Sequence, residues 1–233
     1  MLAALAWLCG GHAVLAGLYW LLLQTPESNV WMLGASLALV LAAVWLTGIV
    51  EMTALLTAGA GGSLRASASA SIRRGWLVVL PLALFAAIWW VTGAAASWHS
   101  RGSGQIDAWI IAKTGWTRTA RLQESLVWLL AFVRYGVGAS LAAALLGALA
   151  TGGPRGLASR WMQRGLAWKP LVVTSLALLV GIWLPWQAVY WRPASLPATW
   201  VQPAFAALKL LALYVVGNLA WAVVLWTASR QPS

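Results

Sequence analysis

The sequence predicts an all-α fold, a polytopic transmembrane helix bundle of about six spans with an internal two-helix repeat. Three observations carry that expectation. Apolar residues make up 62% of the 233 and charged residues only 8%. Apolar runs long enough to cross roughly 30 Å of hydrocarbon, about 20 residues each, recur along the whole chain. Each run is closed by glycine, proline or basic residues. Six crossings of that length account for roughly 120 residues and leave only short connections, so the composition excludes a water-soluble domain and predicts one transmembrane domain over 1–233.

The first run, Leu2 to Leu23, lacks a basic flank and a small-residue cleavage site, and reads as an uncleaved helix closed by Thr25-Pro26. The second, Trp31 to Leu55, ends at the glycines of 59–62. The third covers Trp76 to Ala96, and the fourth, Leu122 to Ala150, stops at Gly152-Gly153-Pro154. The fifth and sixth, Pro170 to Tyr190 and Pro203 to Thr227, begin with prolines suited to a first helical turn, where no backbone N–H is missed. The basic connection 97–121, with Trp109 and Trp116, reads as a short amphipathic segment along the interface.

Fifteen Lys and Arg face four Asp and Glu, which suits loops against anionic lipid rather than nucleic acid. With the N-terminus inside, Arg65, Arg73, Arg74, Arg155, Arg160, Arg164, Lys169 and Arg230 lie inside and five basic residues outside. That asymmetry predicts a multi-pass protein of a bacterial plasma (inner) membrane with both termini cytoplasmic. Most of the 19 tryptophans, among them Trp20, Trp31, Trp89, Trp90, Trp98 and Trp200, then gather near the outer side. An interfacial aromatic belt is the expectation, a platform for a ring-bearing ligand its rival.

At a spacing of 94 residues, Leu77-Val78-Val79, Leu82-Ala83-Leu84 and Ile88-Trp89 recur as Leu171-Val172-Val173, Leu176-Ala177-Leu178 and Ile182-Trp183. Upstream, Gly61-Gly62, Leu64, Ala66-Ser67 and Arg74-Gly75 parallel Gly152-Gly153, Leu157, Ala158-Ser159 and Arg164-Gly165. These pairs define repeat units at about 31–96 and 122–190, both entering from the same side and therefore parallel. The two glycine-plus-basic connections, Gly61-Gly62-Ser63-Leu64-Arg65 through Arg73-Arg74 and Gly152-Gly153-Pro154-Arg155-Gly156 through Arg164, give the chain its family likeness. In this layout it resembles bacterial six-helix integral membrane proteins of unknown function, related to the membrane domain of some glycerophosphodiesterases. The catalytic domain of those diesterases has no counterpart, and the resemblance implies no site residue.

Chemistry-bearing motifs are few. The lone Cys9 excludes an internal disulfide, and two histidines with four scattered acids form no metal-ligand pair. No nucleophile elbow, phosphate loop or zinc-binding helix occurs, and Gly136-Val137-Gly138 lacks the third glycine of a dinucleotide site. With Ser140 and Ala144, Gly136 instead forms a small-residue row for close helix packing. The ionisable residues within spans remain as candidates, because burying them in lipid is expensive. Arg134 falls near mid-bilayer, about 18 Å along the helix from Leu122. It predicts either a structural rivet, paired with helix-end carbonyls, with a polar partner such as Tyr135 or Asn218, or with an acid on another subunit, or an anchor for an anionic headgroup with Lys209 nearby in depth. Lys209 is otherwise shallow enough to snorkel. Glu51, about 30 Å from Trp31, is expected at the inner interface, exposed to water or paired with Arg65, with a proton-coupling carboxylate as the sharper alternative. His12, flanked by Gly10 and Gly11, predicts an interhelical hydrogen bond or a single-histidine pigment or haem site.

These residues point away from enzyme chemistry and leave cofactors unknown. The leading expectation is a non-enzymatic accessory or assembly subunit, in contact with membrane lipids and other membrane protein subunits. The alternatives are a carrier or flippase-like protein for an anionic amphiphile using Arg134, Lys209 and Glu51, and a pigment- or haem-bearing subunit using His12.

Overall fold

The computed structural model describes residues 2–25, 29–60, 63–115, 119–190 and 200–230. Among them there is no strand, and six helical stretches are long and apolar enough to cross a membrane. The chain is an all-α, multi-pass membrane protein. Span one is α1 (Leu2–Gln24) and span two α2 (Val30–Ala60). A short α3 (Leu64–Arg74) and a 3-10 turn, Gly75–Val78, lead into span three, α4 (Val79–Thr114). Span four joins α5 (Thr119–Ala131) to α6 (Gly138–Gly152) through a π-helical turn, Phe132–Val137. A 3-10 turn and α7 (Trp161–Gly165) connect it to span five. That span is α8 (Trp168–Leu178), a second π-helical turn, Leu179–Trp183, and α9 (Leu184–Tyr190). Span six is α10 (Val201–Ser229), and Pro170 and Pro203 both sit in the first turns of their helices, as expected.

The largest departure from expectation is α4. The segment from 97 onward does not lie along the interface but continues the third span as one helix of 36 residues. At 1.5 Å per residue that is about 54 Å, against roughly 30 Å of hydrocarbon. The end of α4 therefore extends past the hydrocarbon layer, on the side opposite Arg74. Gly115, at φ 68°, stops the helix by donating its N–H to the Ile111 carbonyl at 2.9 Å. α5 returns alongside, and the Gln123 amide donates to the Asp107 carboxylate across this helical hairpin. Trp116, Arg118, Trp191, Arg192 and Glu27 lie outside the described residues.

At the other end, both connections fold back along the span they leave. Ser63 caps α3, its hydroxyl accepting from Ala66 N. α3 then runs antiparallel to α2 until the Ile72 carbonyl accepts from Trp45 Nε1 at 3.3 Å. Gly75 is pressed so closely on α2 that a Cβ on Gly48 would lie 1.8 Å from its carbonyl oxygen. The second connection does the same on α6. Ser140 donates to the Gly165 carbonyl at 2.7 Å, and a Cβ on Gly165 would press on Leu141 and Ala144. Arg74 ties the two halves together, its Nη1 donating to the Ala150 and Thr151 carbonyls at 2.6 and 3.1 Å. A cation there satisfies acceptors that the end of α6 leaves open.

The core sits at this end of the bundle. Leu8, Val50, Met52, Leu55, Leu77, Leu149 and Leu225 are almost wholly buried there. The opposite half is looser and presents Trp20, Trp31, Trp90, Trp98, Trp109 and Trp200 outward. Trp76 and Trp168, at the packed end, are exposed as well. On the packed side Trp7 Nε1 donates to the Val50 carbonyl at 3.1 Å and Trp45 reaches Ile72, so these rings are fastened by their N–H groups.

Candidate functional site

Two polar constellations lie inside the spans. The first joins α1, α2 and α10. Gly11 lets α1 approach α2 so closely that a Cβ there would lie 2.4 Å from Val50 Cγ2. That approach brings His12, the next residue, to Glu51, with Nε2 and Oε1 2.9 Å apart. The other carboxylate oxygen of Glu51 accepts from Trp221 Nε1 at 2.6 Å. His12 Nδ1 lies 2.6 Å from Asn218 Oδ1, and the Asn218 amide donates to the Tyr214 carbonyl at 2.9 Å. One turn before His12, the Cys9 carbonyl accepts from the Tyr214 hydroxyl. Tyr214, Asn218 and Trp221 recur at helical spacing on α10 and so present one face to the first two spans.

This geometry corrects two expectations. Glu51 is neither water-exposed nor paired with Arg65. It is 8% exposed and bonded to His12 and Trp221, because α2 does not end at its depth but is covered there by α1 and α10. His12 makes the expected interhelical hydrogen bonds, and both ring nitrogens are engaged, which leaves neither for axial ligation of a haem or pigment. Gly11 makes room for Val50, not for a macrocycle; Gly10 faces open space.

The second constellation surrounds the π-helical turn of span four. Arg134 Nε donates to Thr92 Oγ1 of α4 at 2.9 Å, and its guanidinium carbon stands 4.4 Å from the Trp89 ring centroid. Trp89 in turn meets Tyr135 edge to face, with centroids 5.6 Å apart. Asn218 and Tyr135 are thus not hydrogen-bond partners of Arg134. Among the described residues no acceptor lies within reach of its Nη1 or Nη2, and no carboxylate pairs with it. The sequence singled out Arg134 but not its partners Thr92 and Trp89, which lie on another span more than 40 positions away.

On the other side of the same π turn lies an apolar cleft of about 620 Å³, with Trp128, Phe132, Tyr135, Leu179 and Ile182 in its walls. Both π-helical turns border it, and each carries a glycine where a neighbouring helix comes closest. A Cβ on Gly136 would lie 2.5 Å from Ser175 Oγ, and one on Gly181 2.2 Å from Ala220 Cβ. π turns inside α-helices recur at functional sites. Ser175 Oγ is buried in the cleft wall and has no hydrogen-bond partner among the described residues.

Lys209 stands apart from Arg134. Its Nζ donates to the Val189 carbonyl near the end of α9 at 2.9 Å and lies 5.3 Å from the Phe205 ring centroid. The structure therefore gives the two cations separate partners. Comparison of the chain with protein families, with curated proteins and with solved structures finds no match.

Proposed function

We propose that this chain is a non-enzymatic membrane protein of the bacterial plasma membrane that takes an anionic amphiphile laterally from the bilayer. In this reading Arg134 receives the charged group on the α4 side of the π turn, beside Thr92 and the Trp89 ring, and the apolar part stays along the lipid-facing surface of the spans. The observation that carries it is an intramembrane guanidinium with one nitrogen fixed by Thr92 and neither Nη bonded to a described residue. Burying such a cation is expensive, and a ligand anion offsets that expense in the bound state. The orientation with both termini cytoplasmic rests on the basic connections, which also carry the likeness to six-helix bacterial membrane proteins.

The test is retention of phosphatidylglycerol against phosphatidylcholine by native mass spectrometry from nanodiscs. A hydrogen bond to a charged group contributes about 1.5–3 kcal/mol. Arg134→Gln should therefore weaken phosphatidylglycerol binding about 10- to 150-fold and leave phosphatidylcholine unchanged. Equal retention of the two lipids by the parent, or an unaltered Arg134→Gln, refutes the reading.

The projecting α4–α5 hairpin favours a companion role as an accessory subunit. Trp98 and Trp109 are exposed on it, beside the polar Arg101, Gln105 and Asp107. Replacing residues 101–120 by a short Gly-Ser linker should release associated membrane subunits while lipid retention persists. Unchanged association refutes this role.

A further inference from the structure

We infer that Glu51 and His12 together form a binding site for a single proton, distinct from Arg134 and independent of the amphiphile reading. The donors and acceptors of the cluster fix all but one hydrogen. The Asn218 amide nitrogen is committed as donor to the Tyr214 carbonyl, which turns Oδ1 toward His12. Oδ1 can only accept, so His12 Nδ1 must carry a hydrogen. Trp221 Nε1 can only donate, so the Glu51 oxygen it meets must accept.

Only one contact remains unassigned, that between His12 Nε2 and Glu51 Oε1 at 2.9 Å. It holds one hydrogen, on the nitrogen as an imidazolium beside a carboxylate, or on the oxygen as a carboxylic acid beside a neutral imidazole. Both arrangements leave the pair neutral. Two hydrogens would set donor against donor, and none leaves a carboxylate facing a lone pair with a net charge of −1. The site thus binds or releases one proton and changes charge by one, and no other group in it is placed to share that change. The titratable or polar groups facing it are Cys9 on α1 and Tyr214, Asn218 and Trp221 on α10. On α2, Val50 and Met52 flank Glu51 with apolar side chains. No basic side chain forms an ion pair with Glu51 among the described residues other than His12. The His12 side chain is 26% exposed and that of Glu51 10%, so His12 forms the outer edge of the pair and Glu51 its buried side.

The experiment uses the full chain in nanodiscs with ring-15N histidine and the substitution His99→Gln, which leaves His12 as the sole imidazole. As pH is raised, nitrogen NMR and infrared difference spectra should report the loss of one proton per chain. The Nε2 resonance and the Glu51 carboxyl or carboxylate bands should change together, in one step, while Nδ1 keeps its hydrogen. Glu51→Gln retains an oxygen for Trp221 and turns an N–H toward Nε2, which should fold as the parent does and abolish the step. Separate titration of the carboxyl and the imidazole, loss of the Nδ1 hydrogen, or no titration while the chain stays folded each overturns the inference. So does a pH step that survives in Glu51→Gln.

Discussion

Gly10 and Gly11 are adjacent in α1, yet alanine should act oppositely at the two positions. At Gly10 an added Cβ meets nothing within 4 Å, so Gly10→Ala should stabilise by up to about 1 kcal/mol through helix propensity. At Gly11 it would lie 2.4 and 2.7 Å from Val50 Cγ2 and Cγ1, about 1 Å short of ordinary contact. Val50 is 1% exposed and β-branched, so its side chain has little room to rotate away. Separating α1 from α2 by that amount carries the His12–Glu51 contact from 2.9 Å to beyond hydrogen-bonding range. Overpacking costs about 1–3 kcal/mol and a lost hydrogen bond to a charged group about 1.5–3 kcal/mol. After the propensity gain, Gly11→Ala should destabilise by about 2–5 kcal/mol. Equilibrium unfolding in mixed micelles gives both numbers on one scale, and Val50→Ala in the Gly11→Ala background should restore most of the loss. If the two alanine variants prove equally stable, the close approach is not what holds His12 against Glu51.

Arg74→Ala should cost about 1.5–3 kcal/mol in the same assay, because it strips the Ala150 and Thr151 carbonyls of their donor, and Arg74→Lys should recover part of it. Cysteines at Ser69 and Ser159 should resist an impermeant maleimide applied from outside the cell, whereas one at Ser103, on the projecting end of α4, should react. The opposite pattern would invert the topology.

The spans were legible because membrane length and apolar composition are one-dimensional properties. The six observed crossings begin and end within a few residues of the runs read from the sequence, with the far end of α4 as the exception. α4 runs on past Ala96 because nothing between Ser97 and Thr114 stops a helix: there is no proline, and the first left-handed glycine is Gly115. The glycines at 102 and 104 remain helical. The fourth and fifth spans contain π turns, which depend on how a neighbouring helix packs and leave no periodic signature. Arg134 and Glu51 stood out as charges in apolar runs, but their partners did not. Depth along a straight helix set Glu51 at the interface, whereas lateral cover by α1 and α10 decides its environment. Trp221 looked like one more indole among 19 until Glu51 was found opposite its N–H.

The joining of the first two spans to the last has a consequence for how the protein is made. Glu51 meets His12 early in synthesis, but Trp221 lies 170 residues further on. At about 5–20 residues per second the ribosome needs roughly 10–35 s to supply it. Throughout that interval a membrane-inserted hairpin carries a carboxylate without its indole donor and an imidazole without its amide acceptor. Chains truncated before Tyr214 remain permanently in that state. Completion of the sixth span is therefore the event that seals the polar cluster around Glu51.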